Sequence, residues 1–144
     1  MLASPIVPMP SRHDQTAATH RPTVARSALL SEFGFRRITD IVQGRPDAPD
    51  WERDGRILSV EWHGERVYPA FQFAGDNTPH PAVADVLAAL PRDKMTEWEV
   101  ALWWTAANGW LGYERPVDLL LEGDADDANR LVEAAAHLAA PSPL

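Results

Sequence analysis

The sequence predicts a mainly α fold that carries one small β-hairpin, and two observations predict it. Apolar residues recur at helical spacing from residue 81 onward, and a central stretch switches to a period of two around His63-Gly64. Without cysteine there is no disulfide framework, no thiolate metal site and no thiol nucleophile. At 144 residues, 45% of them apolar and six of them Trp, the chain suits one domain, or one small domain with an appendage, and can bury a core.

The elements follow in order. Residues 1–25 hold four prolines among scattered polar residues with no apolar period, and are expected to form a flexible arm. From Ser27, a candidate N-cap, the residues Leu29, Leu30, Phe33, Ile38, Ile41 and Val42 fall near helical spacing as far as Gly44. Gly34 interrupts this run and allows two short helices in place of one. Arg45 to Asp50, with two prolines, reads as loop. Ile57, Val60, Trp62, Val67, Tyr68, Phe71 and Phe73 then flank His63-Gly64 and predict a hairpin over 56–73. After a Gly/Asp/Asn/Pro loop, Pro81 to Leu90 places Val83, Val86, Leu87 and Leu90 on one helical face. Thr96 and Glu99 form a capping-box pair that opens a helix through Trp103 and Trp104, expected to end at a left-handed Asn108-Gly109 cap. Pro116 to Leu121 is a short helix closed by Gly123. The last helix starts at Asp124 and runs to about Ala140, with Leu131, Val132, Ala135, Leu138 and Ala139 as its packing face. The expected units are an arm over 1–25, a helix-plus-hairpin unit over 26–75 and a helical domain over 76–144.

The formal net charge of −8 is unevenly placed. Residues 1–66 balance nine basic against nine acidic side chains, whereas 67–144 carry four against twelve, the whole excess. Such a C-terminal half is repelled by phosphate backbones and better suited to a basic protein partner. The first 37 residues lean the other way, with five Arg against Asp14 and Glu32. No run approaches the roughly 18 consecutive apolar residues of a membrane helix. The prolines at 5, 8 and 10 interrupt any signal-peptide core, so a soluble, cytoplasmic protein without membrane contact is expected.

Nothing in the chain has the pattern of an active site. The five histidines are far apart, with no second ligand at metal spacing. No Ser sits in a nucleophile elbow and no Gly-rich loop can cradle a phosphate. Neither an enzyme, a cofactor nor a metal site is expected. Trp98, Trp103, Trp104 and Trp110 are the more telling feature. Trp103 and Trp104 are neighbours on a helical wheel, so they either share a broad core face or one of them joins an exposed aromatic patch of the kind that anchors interfaces.

The segment Trp103-Trp104-Thr105-Ala106-Ala107-Asn108-Gly109-Trp110-Leu111-Gly112-Tyr113-Glu114-Arg115-Pro116-Val117-Asp118-Leu119-Leu120 resembles the core motif of the toxin-binding domain of Xre/MbcA/ParS-class antitoxins. Asn108, Leu111, Gly112, Pro116, Asp118, Leu119 and Leu120 match that motif, while Tyr113 stands where Gly is usual and Ala107 where Pro is common. Upstream, Tyr68-Pro69-Ala70-Phe71-Gln72-Phe73 is similar to the segment that precedes this domain in many members. The resemblance covers roughly residues 55–140. It implies a type II antitoxin that binds a cognate RES-domain toxin, an NAD-degrading enzyme, and occludes its active site, largely through the C-terminal helical region. Complexes of this kind imply a homodimer or a hetero-oligomer with the toxin. The candidate toxin contacts are Trp103, Asn108, Trp110, Tyr113 and Arg115 in the motif, and Asn129, Ala136 and Ala140 on the polar side of the last helix. The carboxylate of Leu144, on a proline-stiffened tail, is either a mimic of an anionic ligand or a frayed end.

The same class often carries an N-terminal helix-turn-helix, and residues 26–75 are expected to be a degenerate, winged-helix-like version with the hairpin as wing. Arg26, Arg36 and Arg37 are the candidate contacts to operator DNA. Glu61 and Glu65 on the wing oppose that use. A DNA-binding transcriptional regulator acting without a toxin is the alternative function.

Overall fold

In the computed structural model residues 24–43 and 45–139 are described. The expected arm, apart from Val24 and Ala25, lies outside them, as do Gly44 and the tail from Ala140. The described chain is mainly helical with a three-stranded antiparallel sheet.

Helix α1 (residues 24–33) is already under way at Val24, so Ser27 lies inside the helix and is not its N-cap. Gly34 stops it with φ of +77°, its N–H bonded to the Leu30 carbonyl at 2.8 Å. The run therefore divides as Gly34 allows, but the second piece begins with a strand, β1 (Phe35–Arg36), before α2 (Ile38–Val42). A further helix, α3 (Ala48–Arg53), replaces much of the expected loop. Pro49 sits in its first turn, where a missing N–H costs no intrahelical bond. Strands β2 (Val60–Trp62) and β3 (Glu65–Pro69) form the expected hairpin, in register Val60↔Val67 and Trp62↔Glu65. His63 and Gly64 both have positive φ, 52° and 80°, the two-residue turn whose twist matches the strands it joins. Phe71 lies beyond the strands, in a single 3₁₀ turn over Ala70–Gln72.

The sheet order is β1-β3-β2, and it separates two apolar clusters. Val60 and Val67 join the larger one, with Leu29, Leu30, Phe71, Trp104 and the inward faces of the later helices. Tyr68, next along β3, joins Ile41, Ala48, Trp51, Ile57 and Phe73 in the smaller, as the alternation of strand side chains requires. The larger cluster thus runs across position 75 without interruption.

Of the later helices, α4 (Pro81–Ala89) buries Val83, Val86 and Leu87 as its spacing predicts. Helix α5 (Glu97–Trp103) opens on the expected capping box, in which Glu99 N–H donates to Thr96 Oγ1 at 3.1 Å and Thr96 N–H to Glu99 Oε1 at 2.8 Å. It ends at Trp104, before the expected Asn108-Gly109 cap. The cause is non-local: the Trp104 carbonyl accepts the N–H of Val117 at 2.8 Å, so the chain turns back there. Helix α6 (Pro116–Glu122) closes at Gly123 as expected. A Cβ at Gly123 would meet the Leu119 carbonyl oxygen at 2.4 Å, so only glycine fits. Helix α7 (Ala125–Ala139) is capped reciprocally, Asp127 N–H donating to Asp124 Oδ1 and Asp124 N–H to Asp127 Oδ2. It packs chiefly on α4 and α6. Its buried residues are Leu131, Ala134 and Ala135, whereas Leu138 and Ala139 are exposed, because α7 runs on past the core it covers. No helix among the described residues is long and apolar enough to cross a membrane.

Candidate functional site

The motif over 103–120 folds into a closed corner. Asn108 caps a 3₁₀ turn over Gly109–Leu111, its Oδ1 accepting the Trp110 N–H at 2.9 Å. Backbone bonds from Tyr113 N–H to the Asn108 carbonyl (2.8 Å) and from Asn108 N–H to the Glu114 carbonyl (3.0 Å) close the loop on itself. The left-handed residues are Gly112 (φ 66°) and Tyr113 (φ 69°), not Asn108-Gly109. Leu111, Val117, Leu119 and Leu120 point into the core and lock the corner down.

With those side chains used inward, the corner presents its aromatics outward. Trp104 is fully buried, while Trp103 packs edge-on against it (5.2 Å, 87°) and is half-buried against the same cluster, so the adjacent pair shares a broad core face with Trp103 at its rim. Trp110 is 64% exposed and Tyr113 78%. The Trp110 ring lies flat on the imidazole of His137 in α7, with centroids 3.6 Å apart and planes 2° from parallel. Between corner and helix runs a groove of about 320 Å³, lined by Trp103, Ala107, Asn108, Gly109, Trp110, Ala134, His137 and Leu138. It gathers three expected contacts, Trp103, Asn108 and Trp110. The sequence reading missed His137 and Leu138, whose signal was the end of α7 running beyond its packing partners.

Arg115 has a different role. Its guanidinium donates twice to Glu32 of α1 (2.9 and 2.8 Å) and twice to Asp118 (3.0 and 3.1 Å), and it rests over the ring of Phe33. These bonds hold the Glu32 carboxyl below its ordinary range and raise the arginine further above its own. Arg115 thus pins α1 to α6 and leaves no donor fork facing a partner. Asn129 and Ala136 are exposed on α7 but do not line the groove. Ala140 and Leu144 lie outside the described residues.

Beside the corner lies a second hollow of about 200 Å³ lined by Glu114, Asp118, Leu119, Glu122, Gly123 and Asp127. Asp118 is paired with Arg115 and Asp127 with Arg130 at 3.1 Å; Glu114 and Glu122 meet no cationic side chain among the described residues. No group of three or more His, Asp or Glu there could hold a metal ion, among the described residues.

The candidate DNA contacts are all engaged within the fold. The Arg26 guanidinium sits over the Trp98 ring at 5.2 Å. Arg36 lies over Phe73 at 5.1 Å and donates to Asn77 Oδ1. Arg37 pairs with Glu65 at 2.7 Å, so the wing carboxylate cancels it. The Tyr68 to Phe73 segment is structural throughout. Tyr68 donates to Glu52 at 3.0 Å, and burial with that bond pushes its phenol up to about 12. Gln72, fully buried, accepts the Leu58 N–H at 2.7 Å and donates to the carbonyls of Leu58 (2.8 Å) and Pro69 (3.0 Å). No family model, curated protein or solved structure matches the chain.

Proposed function

We propose that this chain is the antitoxin of a type II toxin–antitoxin pair, and that it acts by binding and occluding a RES-type NAD-degrading toxin. The observation that carries this function is the exposed aromatic groove at the corner built by the 103–120 motif. Large, rigid aromatic side chains held on a closed turn are the groups that dominate protein interfaces. Their exposure, at Trp110, Tyr113 and Leu138 together, is costly for a chain that has no partner to cover them. Inhibition by occlusion needs no catalytic residue. Arg115 then acts by holding the corner in place. The test is expression of the neighbouring reading frame's product, expected to be a RES-domain enzyme, with and without this chain, while cellular NAD is followed. NAD is expected to be preserved when both are present, and an equal fall in the two cultures refutes the proposal.

One observation favours a second function. The order α1-β1-α2-α3-β2-β3, with sheet order β1-β3-β2, is the connectivity of a winged helix, and supports the degenerate winged-helix reading of residues 26–75. In that scheme α3 would face the major groove, yet it carries Asp50 and Glu52, and its Arg53 is tied to Asp50 at 2.6 Å. Such a face repels phosphates. Mobility shift of the promoter fragment at low salt separates a toxin-independent regulator from an antitoxin whose winged unit serves as scaffold.

A further inference from the structure

The aromatic groove and the acidic hollow are two ends of one surface. They share the closed turn over 108–114: Asn108 lines the groove, Glu114 lines the hollow, and the N–H of the first donates to the carbonyl of the second. Both also lie along α7, with Asp127 at the hollow and Ala134 at the groove, seven residues and so about 10 Å apart. One end offers stacked aromatic and aliphatic surface. The other offers Glu114 and Glu122, whose charges no cation among the described residues balances.

We infer that this surface receives a single segment of the partner in which an apolar side chain is followed, about 10 Å away, by Arg or Lys. The apolar side chain enters the groove against Trp110 and Leu138, and the cation settles in the hollow between Glu114 and Glu122. That spacing corresponds to two turns of helix, with both side chains on one face, whereas residues three apart in a strand point to opposite faces. An apolar anchor supplies most of the affinity, because it is the part that is fully desolvated. The cation fixes register and speeds encounter, and its contribution weakens with salt. A nucleic acid is excluded as occupant by the sign of the hollow. This assignment rests on the antitoxin function and adds to it which surface meets the toxin and what the toxin must present.

The experiment uses the full-length chain and the product of the neighbouring reading frame, expected to be a RES-domain toxin, with affinity measured at low and at moderate salt. Trp110→Ala is expected to weaken binding at least tenfold at both salt concentrations. Glu122→Lys is expected to weaken it severalfold at low salt, with the difference shrinking as salt rises. Both side chains are exposed, and unchanged helical circular dichroism confirms that each variant folds. Asp85→Asn, on the exposed side of α4 and lining neither the groove nor the hollow, is the control and is expected to bind like the parent. If the parent chain binds and both variants bind equally well, the surface is misassigned while the antitoxin function stands. If the parent chain itself fails to bind the toxin, both fall together.

Discussion

Single residues decide how the corner and the sheet are held. Gln72 is the clearest case: fully buried, it stands in for a missing strand by satisfying the Leu58 N–H and the carbonyls of Leu58 and Pro69. A buried backbone group left without a partner costs roughly 1–3 kcal/mol, so an apolar replacement of similar shape is no substitute. Gln72→Leu is expected to lower the unfolding free energy by about 3 kcal/mol in urea titration, since it orphans three groups at once. A loss below about 1 kcal/mol would mean that the strands close without the amide. Trp104 makes the opposite point. Its ring is wholly inside and its Nε1 has no acceptor among the described residues. That proton's desolvation is borne by the packing of the ring against Phe71 and Trp103.

At the level of elements, stability comes from a few non-local ties, and these are what the sequence could not disclose. Local chemistry was legible: the His63-Gly64 turn, the Thr96/Glu99 capping box and the stop at Gly123 are each dictated by residues within four positions of one another. Strand β1 was not legible, because two residues become a strand only by pairing with β3. Helix α3 hid behind Pro49, which breaks a helix interior but fits a first turn. The end of α5 depends on Val117, far along the chain. For the site, aromatic excess pointed to Trp103 and Trp110, but Leu138 was placed on a packing face that assumed cover along the whole of α7, and His137 was one of five scattered histidines with nothing in the sequence to set it against Trp110. The Arg115 tie between α1 and α6 is equally non-local, and it has consequences for both elements. Arg115→Ala is expected to speed amide exchange in α1 and α6 while leaving the sheet protected. Acid should act in the same direction. The Glu32 carboxyl is held below its ordinary value by Arg115, so the tie is complete above the ordinary carboxylate range and is lost as pH falls through the lowered one. Equal exchange in α1 for parent and variant would show that packing of Leu29 and Leu30 alone holds this helix.

Across the whole molecule, charge and packing divide the chain differently. The acidic excess belongs to residues 67–144, which favours a basic partner for that half. The apolar contacts recognise no such boundary. Leu29 and Leu30 of α1, Val60 and Val67 of the hairpin, and Trp104, Val117 and Leu131 of the later segment lie in one cluster. Trp98 reinforces the union, its ring meeting Trp62 at 5.7 Å and its Nε1 donating to the Glu61 carbonyl at 2.9 Å. A fragment comprising residues 76–144 would expose the inner sides of α4 and α5 where the hairpin and α1 now cover them. It would also lose Phe71 from the face of Trp104, at 5.8 Å, and Glu32 from Arg115. At 69 residues the fragment would be near the size at which a single core barely outweighs chain entropy, so losing that cover should tip the balance. The fragment is therefore expected to lack dispersed methyl resonances and a cooperative thermal transition, whereas the full chain melts in one. A fragment that melts cooperatively would show that the corner needs only α4 to α7, and that α1 and the hairpin are dispensable to its fold.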